Sequence, residues 1–226
     1  MAGRPTAILF DLDGTLVDSE PGIRASAEAA LAALGHEPID FSIAELIGPP
    51  LEEVMTAFLK RFGDDRVAEA VLAYREHYGA EGYRATEFYP GVSAMLAQFA
   101  GLPLYVATSK RTVFARRILE HLEQAAAFEG IYGSEPDGAL DNKAALIADV
   151  LKRHDLAAHR CLMVGDRRQD VLGAQANGVP TVGVLWGYGD RDELETAGAR
   201  WIISRPSELV DIASDPSGGG LHRPMV

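Results

Sequence analysis

The sequence predicts an α/β fold, a parallel sheet with helices on both faces, interrupted near its start by an all-helical insertion. Two observations carry this reading. From Tyr89 onward, apolar runs of strand length alternate with stretches of helical period, and strand, helix, strand in that order requires crossover connections and therefore a parallel sheet. Between Pro21 and about Tyr83, apolar residues recur at helical spacing with no convincing strand among them, the pattern of a small helical bundle. A chain of 226 residues has room for one domain carrying a smaller one. The expected division is 1–16 core, 17–88 helical insertion, 89–213 core and 214–226 a flexible tail rich in Gly, Pro and Ser.

In chain order, Ala7–Phe10 reads as a buried strand. Ile23, Ala27, Ala30, Leu31 and Leu34 form one helical stripe after Pro21, with Gly35 as its stop. Ile43–Ile47 gives a short helix broken by Gly48-Pro49-Pro50; Leu51–Phe62 and Asp65–Tyr78, the latter through Val67, Val71 and Leu72, give two more. The alternating region then runs as helix Val92–Ala100, strand Leu104–Ala107, helix Arg111–His121, strand Phe128–Tyr132 and helix Asp141–His154 with Asp141 as its cap. Strand Cys161–Val164, helix Arg168–Asn177 stopped by Gly178, and strands Thr181–Val184 and Trp201–Ile203 complete it.

Composition narrows the function. The formal net charge of -12 gives no general attraction to nucleic acid polymers or anionic membranes, so an anionic ligand needs a local cluster of cations. The single cysteine, Cys161, lies in an apolar run and is expected to be a buried thiol of a reducing compartment. The N-terminal apolar run is too short for a signal peptide. Two charge-free stretches, Gly91–Ser109 and Val171–Gly189, approach the length of a membrane span, but each contains Pro, Gly and polar residues and divides into a helix-like and a strand-like half. The expected location is the cytoplasm.

The chemistry collects where strands end. The first strand stops in Asp11-Leu12-Asp13-Gly14. Alternate strand residues face opposite ways, so Asp11 and Asp13 share a site only if the chain turns between them, which Gly14 helps permit. Two crowded carboxylates call for a cation, or a proton on one of them, which is the physics of a metal-assisted aspartyl nucleophile beside a general acid or base. Thr108-Ser109-Lys110 follows the second strand, and Gly165-Asp166-Arg167-Arg168-Gln169-Asp170 a later one. In a parallel sheet all three sets lie on one edge, where ligands bind. Asp166 and Asp170 read either as helix caps or as metal ligands. Lys143, Lys110-Arg111 and Arg167-Arg168 stand at predicted helix starts against the helix dipole. Each alone reads as a solvated side chain; together they suggest a bound anion such as phosphate. All-oxygen ligands indicate Mg²⁺. The sequence has no Gly-x-x-x-x-Gly-Lys-Ser/Thr loop and no Gly-x-Ser-x-Gly elbow, and its six histidines read as surface or packing residues.

These residues resemble the four motifs of the haloacid dehalogenase superfamily. Asp11–Ser19 is similar to the first, Thr108-Ser109-Lys110 to the second, Lys143 to the third and Gly165-Asp166 with Asp170 to the fourth, and together they cover the chain from Ile8 to about Leu209. The resemblance implies a Rossmann-like core, a helical cap at the insertion, and a role for each residue. Asp11 would form an aspartyl-phosphate, and Asp13 would protonate the leaving oxygen and then activate water. Thr108 would bind the phosphoryl oxygens with Ser109 beside it, and Lys143 would neutralise them. Asp11, Asp13 through its backbone carbonyl, Asp166 and, in support, Asp170 would hold Mg²⁺. The dehalogenases lack an acid at the position of Asp13 and the phosphonate-cleaving members have a small residue there, so the acid implies phosphoester chemistry. Ile131–Lys143, Gly165–Arg167 and Gly183–Gly189 look most like the phosphoglycolate phosphatase-like branch. That implies hydrolysis of a small phosphorylated metabolite, phosphoglycolate first and a nucleoside 5′-monophosphate second, with a sugar phosphomutase or an idle phosphate-ligand sensor as the other readings. Arg167 stands where many relatives have a small hydroxyl residue and would either narrow the site or add an anion contact. Substrate choice would rest on Ile47–Leu51, Arg75 or Lys60, with Gly48-Pro49-Pro50 equally readable as a plain helix break. The oligomeric state reads as monomer or homodimer.

Overall fold

A computed structural model of the chain describes residues 3–42, 47, 51–135, 138 and 140–216. The described elements are β1 (Ala7–Phe10), β2 (Val17–Asp18), α1 (Glu20–Ala33), α2 (Leu51–Lys60), α3 (Val67–Ala80), a 3-10 turn (Gly82–Ala85), β3 (Glu87–Phe88), α4 (Val92–Gln98), β4 (Leu104–Arg111) and α5 (Thr112–His121). They continue as β5 (Gly130–Ser134), α6 (Lys143–Arg153), β6 (Cys161–Gly165), α7 (Arg168–Gln175), β7 (Thr181–Val184), α8 (Arg191–Ala197), β8 (Trp201–Ile203) and α9 (Ser207–Ser214). The chain divides into two units, Met1–Asp18 with Phe88–Val226, and Ser19–Glu87.

The first unit is built on a six-stranded sheet in the order β5-β4-β1-β6-β7-β8, with parallel pairing throughout. Strand β1 lies in its middle and is buried over its whole length, as the strands of a sheet covered on both faces must be. Its residues alternate between the faces: Ala7 and Leu9 join Leu146, Ile147 and Val150 of α6 in one cluster, while the Phe10 ring meets that of Phe128 edge-on, centroids 6.4 Å apart. Phe10 is level with Val106 of β4 and Val164 of β6, so the residues that follow these three strands emerge side by side. Buried Cys161 heads β6, its thiol pushed up to about 11 by burial.

Where observed elements differ from the sequence reading, local chemistry explains it. Strand β4 continues through Thr108-Ser109-Lys110 to Arg111, and α5 begins only at Thr112. Between Ala107 and Arg111 the register against β5 breaks: Ala107 faces Tyr132 and Arg111 faces Ser134, so Thr108, Ser109 and Lys110 occupy a bulged segment. Helix α6 is capped by Asn142 rather than Asp141. The Asn142 side-chain oxygen accepts from the Ala144 and Ala145 amides at 2.9 and 3.1 Å. Strand β5 sits two residues later than expected. Helices α8 and α9 went unread, although Asp190 caps α8 by accepting from the Glu193 amide at 2.7 Å, an acid pair three residues apart that signals a helix start.

The described elements of the Ser19–Glu87 unit are α1, α2, α3 and the 3-10 turn, with Glu87 opening β3. Helix α1 buries Ile23, Ala27, Ala30 and Leu31, and α2 buries Val54, Met55, Phe58 and Leu59. A Cβ on Gly22 would come within 1.9 Å of the Gly82 carbonyl oxygen, so α1 and the 3-10 turn meet backbone to backbone. The Ser26 hydroxyl donates to the Gly22 carbonyl at 2.7 Å. His36 and Arg66 both engage Asp64, at 2.7 Å for His36, and the Arg66 guanidinium and amide hold that carboxyl well below the usual range. Leu72, read as part of the apolar stripe of α3, is exposed. The short helix and break expected around Ile43–Pro50 and the tail beyond 216 lie outside the described residues. Among the described residues no helix is long and apolar enough to cross a membrane.

Candidate functional site

At the end of β1 the Asp11 amide donates to the Val164 carbonyl at 2.9 Å, which carries the nucleophile candidate one step past the strand still tied to β6. The chain then turns: the Leu12 carbonyl accepts from the amides of Leu16 and Val17 at 2.9 and 3.0 Å. Gly14 makes the turn with φ +80, and a Cβ there would lie 2.2 Å from Asp166 Oδ2. No other residue fits both the backbone angle and that approach. The turn brings Asp11 and Asp13 to one edge of the sheet, with Thr108-Ser109-Lys110 on one flank and Asp166 on the other.

Lys143 is the buried hinge of this cluster. At the first position of α6 its charge opposes the helix dipole, and its partners explain why it stands there. Its Nζ lies 3.0 Å from Asp11 Oδ1 and 2.8 Å from Asp170 Oδ1 and donates to the Ala107 carbonyl at 3.0 Å. Burial opposes the ammonium charge, but Asp11 and Asp170 outweigh it and raise its pKa. Asp170 uses its two oxygens differently: Oδ1 faces Lys143, while Oδ2 accepts from the Arg167 amide at 3.2 Å. One residue thus both closes the start of α7 and faces the buried lysine.

Asp166 is fully buried. Its Oδ1 accepts from the Thr15 hydroxyl at 3.1 Å and its Oδ2 from the Tyr188 amide at 2.8 Å. Burial first, then the neighbouring Asp170 and Asp11 carboxylates, push its pKa up to about 8. Burial raises Asp170 as well, against the pull of Lys143. One oxygen from each of Asp11, Asp166 and Asp170 lies within 4.8 Å of the others. Three buried carboxylates against the one ammonium of Lys143 leave excess negative charge, and among the described residues neither Asp11 Oδ1 nor Asp170 Oδ1 accepts a well-directed hydrogen bond. An all-oxygen donor set of this kind fits a hard divalent cation. The Asp13 side chain stands outside this trio, its Oδ2 2.9 Å from Lys110 Nζ.

The remaining expected residues are placed as follows. Thr108 is buried, and its hydroxyl accepts from the Lys110 amide at 3.2 Å; Ser109 is exposed. Three of the cations read as an anion site face carboxylates of the chain: Lys143 faces Asp11 and Asp170, Lys110 faces Asp13, and Arg167 faces Glu193. Lys110 does not stand at a helix start at all. Arg167, weighed as a narrowing residue or an anion contact, is tied sideways: its Nε and the Arg168 amide donate to the same Glu193 oxygen, at 3.0 and 2.8 Å. Thr15 and Glu193 were missed, as was the pairing of Trp186 with the Thr15 carbonyl at 2.9 Å and of the Tyr188 hydroxyl with Asp18 at 3.1 Å. Arg75 pairs with Glu52 at 2.9 Å on the surface of the helical unit, and Lys60 is exposed at the end of α2.

Comparison with known proteins agrees with this geometry. A family model described as haloacid dehalogenase-like hydrolase matches residues 8–184. A 5′-nucleotidase from Pseudomonas aeruginosa is 45% identical over 83% of this chain and 86% of its own. A tyrosine-protein kinase, PtkA, from Mycobacterium tuberculosis is 40% identical over 84% of this chain, which spans 66% of that protein. A phosphoglycolate phosphatase from Neisseria meningitidis is 34% identical over 91% of this chain and 92% of its own. A solved structure of a haloacid dehalogenase-like family hydrolase from Streptococcus pneumoniae superposes with a TM-score of 0.83 at 34% identity, covering 93% of this chain and 99% of that one. With its motif-bearing strand ends side by side in one parallel sheet, the chain belongs to the haloacid dehalogenase-like hydrolases.

Proposed function

We propose that the chain is a cytoplasmic, Mg²⁺-dependent phosphatase that hydrolyses a small phosphomonoester through an aspartyl-phosphate on Asp11. It is a phosphoric monoester hydrolase of its family. The observation that carries the finer reading is the trio of buried carboxylates, Asp11, Asp166 and Asp170, gathered with Lys143 at the end of β1. Asp11, Asp166 and the backbone carbonyl of Asp13 would hold the metal, with Asp170 in support. The ion would neutralise charge on the phosphoryl group and the nucleophile. Asp11 attacks phosphorus in line with the leaving oxygen, and Asp13, two residues on, delivers the proton that oxygen needs. Lys143 holds Asp11 in place and offsets the charge that builds on the phosphoryl oxygens, which Thr108 and Ser109 bind from the bulge of β4. Asp13 then takes a proton from the water that cleaves the aspartyl-phosphate. The Ser19–Glu87 unit acts as the cap that selects the substrate and excludes bulk water.

For the substrate, phosphoglycolate leads on the sequence motifs, while the 45% identity to a 5′-nucleotidase favours a nucleoside 5′-monophosphate. Both belong in the test: phosphate release from phosphoglycolate, nucleoside monophosphates and sugar phosphates, each with Mg²⁺, with EDTA and with Asp11→Asn. Release that needs both Mg²⁺ and Asp11, ranked by kcat/KM, supports the reading and names the substrate. A product that keeps its phosphate would point to a mutase. No turnover of any member by folded protein would overturn it.

A further inference from the structure

We propose that Lys110 is a positioning residue for the proton-transferring carboxylate of Asp13, an assignment that rests on the phosphatase reading above. Two features of the bulge lead to it. Between Ala107 and Arg111, strand β4 holds three residues against the single residue of β5 that lies between Tyr132 and Ser134. A bulge of this kind re-aims side chains. Here it turns Lys110 toward β1, where its Nζ meets Asp13 Oδ2 at 2.9 Å with both side chains largely enclosed, 9% and 14% exposed. The bulge is fixed from within, because the Thr108 hydroxyl accepts from the Lys110 amide at 3.2 Å. The residue that binds phosphoryl oxygens and the residue that grips the acid are thus set by one local hydrogen bond.

The second feature is how the Asp13 carboxylate is left. Oδ1 is buried and accepts no hydrogen bond among the described residues, while Oδ2 is held by Lys110. Lys143 cannot share this work, since its Nζ is committed to Asp11, Asp170 and the Ala107 carbonyl. The site therefore divides its two lysines, Lys143 to the nucleophile and metal ligands and Lys110 to the acid. Gripping one oxygen of Asp13 fixes the rotation of the carboxylate about its Cβ–Cγ bond and leaves the other oxygen without a competing donor among the described residues. A proton transfer depends on that orientation to within tenths of an ångström.

The prediction concerns the leaving group. An alkyl phosphomonoester leaves as an alkoxide and needs the Asp13 proton, whereas p-nitrophenyl phosphate leaves as a stable phenolate and does not. The test compares kcat/KM for both substrates in wild-type enzyme, Lys110→Met and Lys110→Arg, with Mg²⁺ present. Lys110→Met is expected to lose about 100-fold on the alkyl ester and less than about 5-fold on p-nitrophenyl phosphate, mainly in kcat, and Lys110→Arg to restore part of the loss. An equal fall on both substrates, or a rise in KM alone, would make Lys110 a phosphate contact and overturn the assignment while leaving the phosphatase reading intact. If the wild-type enzyme turns over neither ester, the phosphatase reading fails and the assignment fails with it.

Discussion

The two units of this chain treat charge in opposite ways. In the sheet unit, Asp11, Asp166, Asp170 and Lys143 are buried together at the end of β1. In the Ser19–Glu87 unit, ion pairs such as Arg75 with Glu52 and Arg24 with Glu20 lie at the surface, and among the described residues the buried side chains are apolar apart from Ser19, Ser26 and Thr86. Buried ion clusters are weak contributors to stability because desolvation opposes their attraction. The sheet unit gathers several buried charges at one place, whereas among the described residues the helical unit encloses one carboxyl, Asp64, paired with His36 and Arg66. That contrast separates where chemistry is done from where shape is kept.

The largest test of the contrast is Asp11→Asn. It is expected to lower kcat by about 1,000-fold or more, yet to leave thermal stability unchanged or raised, since it removes one negative charge from a cluster that holds three carboxylates against Lys143. Activity and calorimetry on the same sample check both halves. A large fall in stability would mean the cluster is structural. Next in size is Glu193→Gln, which loosens the anchor of the Asp166–Asp170 loop without touching the proposed metal ligands. Mg²⁺ affinity, read by titration calorimetry, should fall about 10-fold, and unchanged affinity would reduce the Arg167–Glu193 pair to surface decoration.

The matching test in the helical unit is Gly22→Ala. Its methyl group would collide with the Gly82 carbonyl oxygen, at a cost of about 1–3 kcal/mol. Hydrogen exchange should show the Ser19–Glu87 amides losing protection while the β1 and β6 amides keep theirs. Loss of protection throughout would mean that the units do not unfold separately.

A smaller effect follows from Asp166. Its folded-state pKa, about 8, lies above the ordinary carboxylate value of 3.8, so the folded apo-protein binds the proton more tightly than the unfolded chain. The resulting stability is fully present below 3.8 and is lost as pH rises through about 8. With EDTA, the melting temperature should fall across this window by more than in Asp166→Asn. Mg²⁺, which binds the ionised carboxylates, should stabilise the protein more at the upper end than at the lower. A Mg²⁺ gain that does not depend on pH would contradict the assignment of Asp166 as a ligand. Least of all, Arg75→Ala should change stability by less than about 1 kcal/mol, measured by urea denaturation. A larger loss would show that the Arg75–Glu52 pair is not the solvated surface contact it looks to be.

Much of this was legible in the chain itself, for physical reasons that differ by residue. Strand β1 was readable because an apolar run stops abruptly at Asp11, and the turn after it because Asp13 is followed by Gly14. Lys143 was readable because a cation at a helix start conflicts with the dipole and so asks for a cause. Part of the cause was not readable: Lys143, Lys110 and Arg167 also face carboxylates of the chain itself, brought near from the end of β1, α7 and α8. Lys110 was set at a helix start rather than in strand β4 because a bulge leaves no signature in apolar periodicity, which sees only where hydrophobic residues fall. Glu193 went unseen because α8 is a short helix with few apolar residues, detectable only through its Asp190–Glu193 cap. Asp141 and Asn142 differ as caps by one position, a distinction that backbone geometry makes and composition does not.

The most direct measurement is acid quench of the wild-type enzyme during turnover of its best phosphomonoester with Mg²⁺, followed by peptide mapping by mass spectrometry. A phosphoryl group on Asp11, absent with EDTA and absent in Asp11→Asn, is the result expected if this carboxylate is the nucleophile. Phosphate release that proceeds at full rate in Asp11→Asn, or a phosphoryl group trapped on another residue, would contradict it.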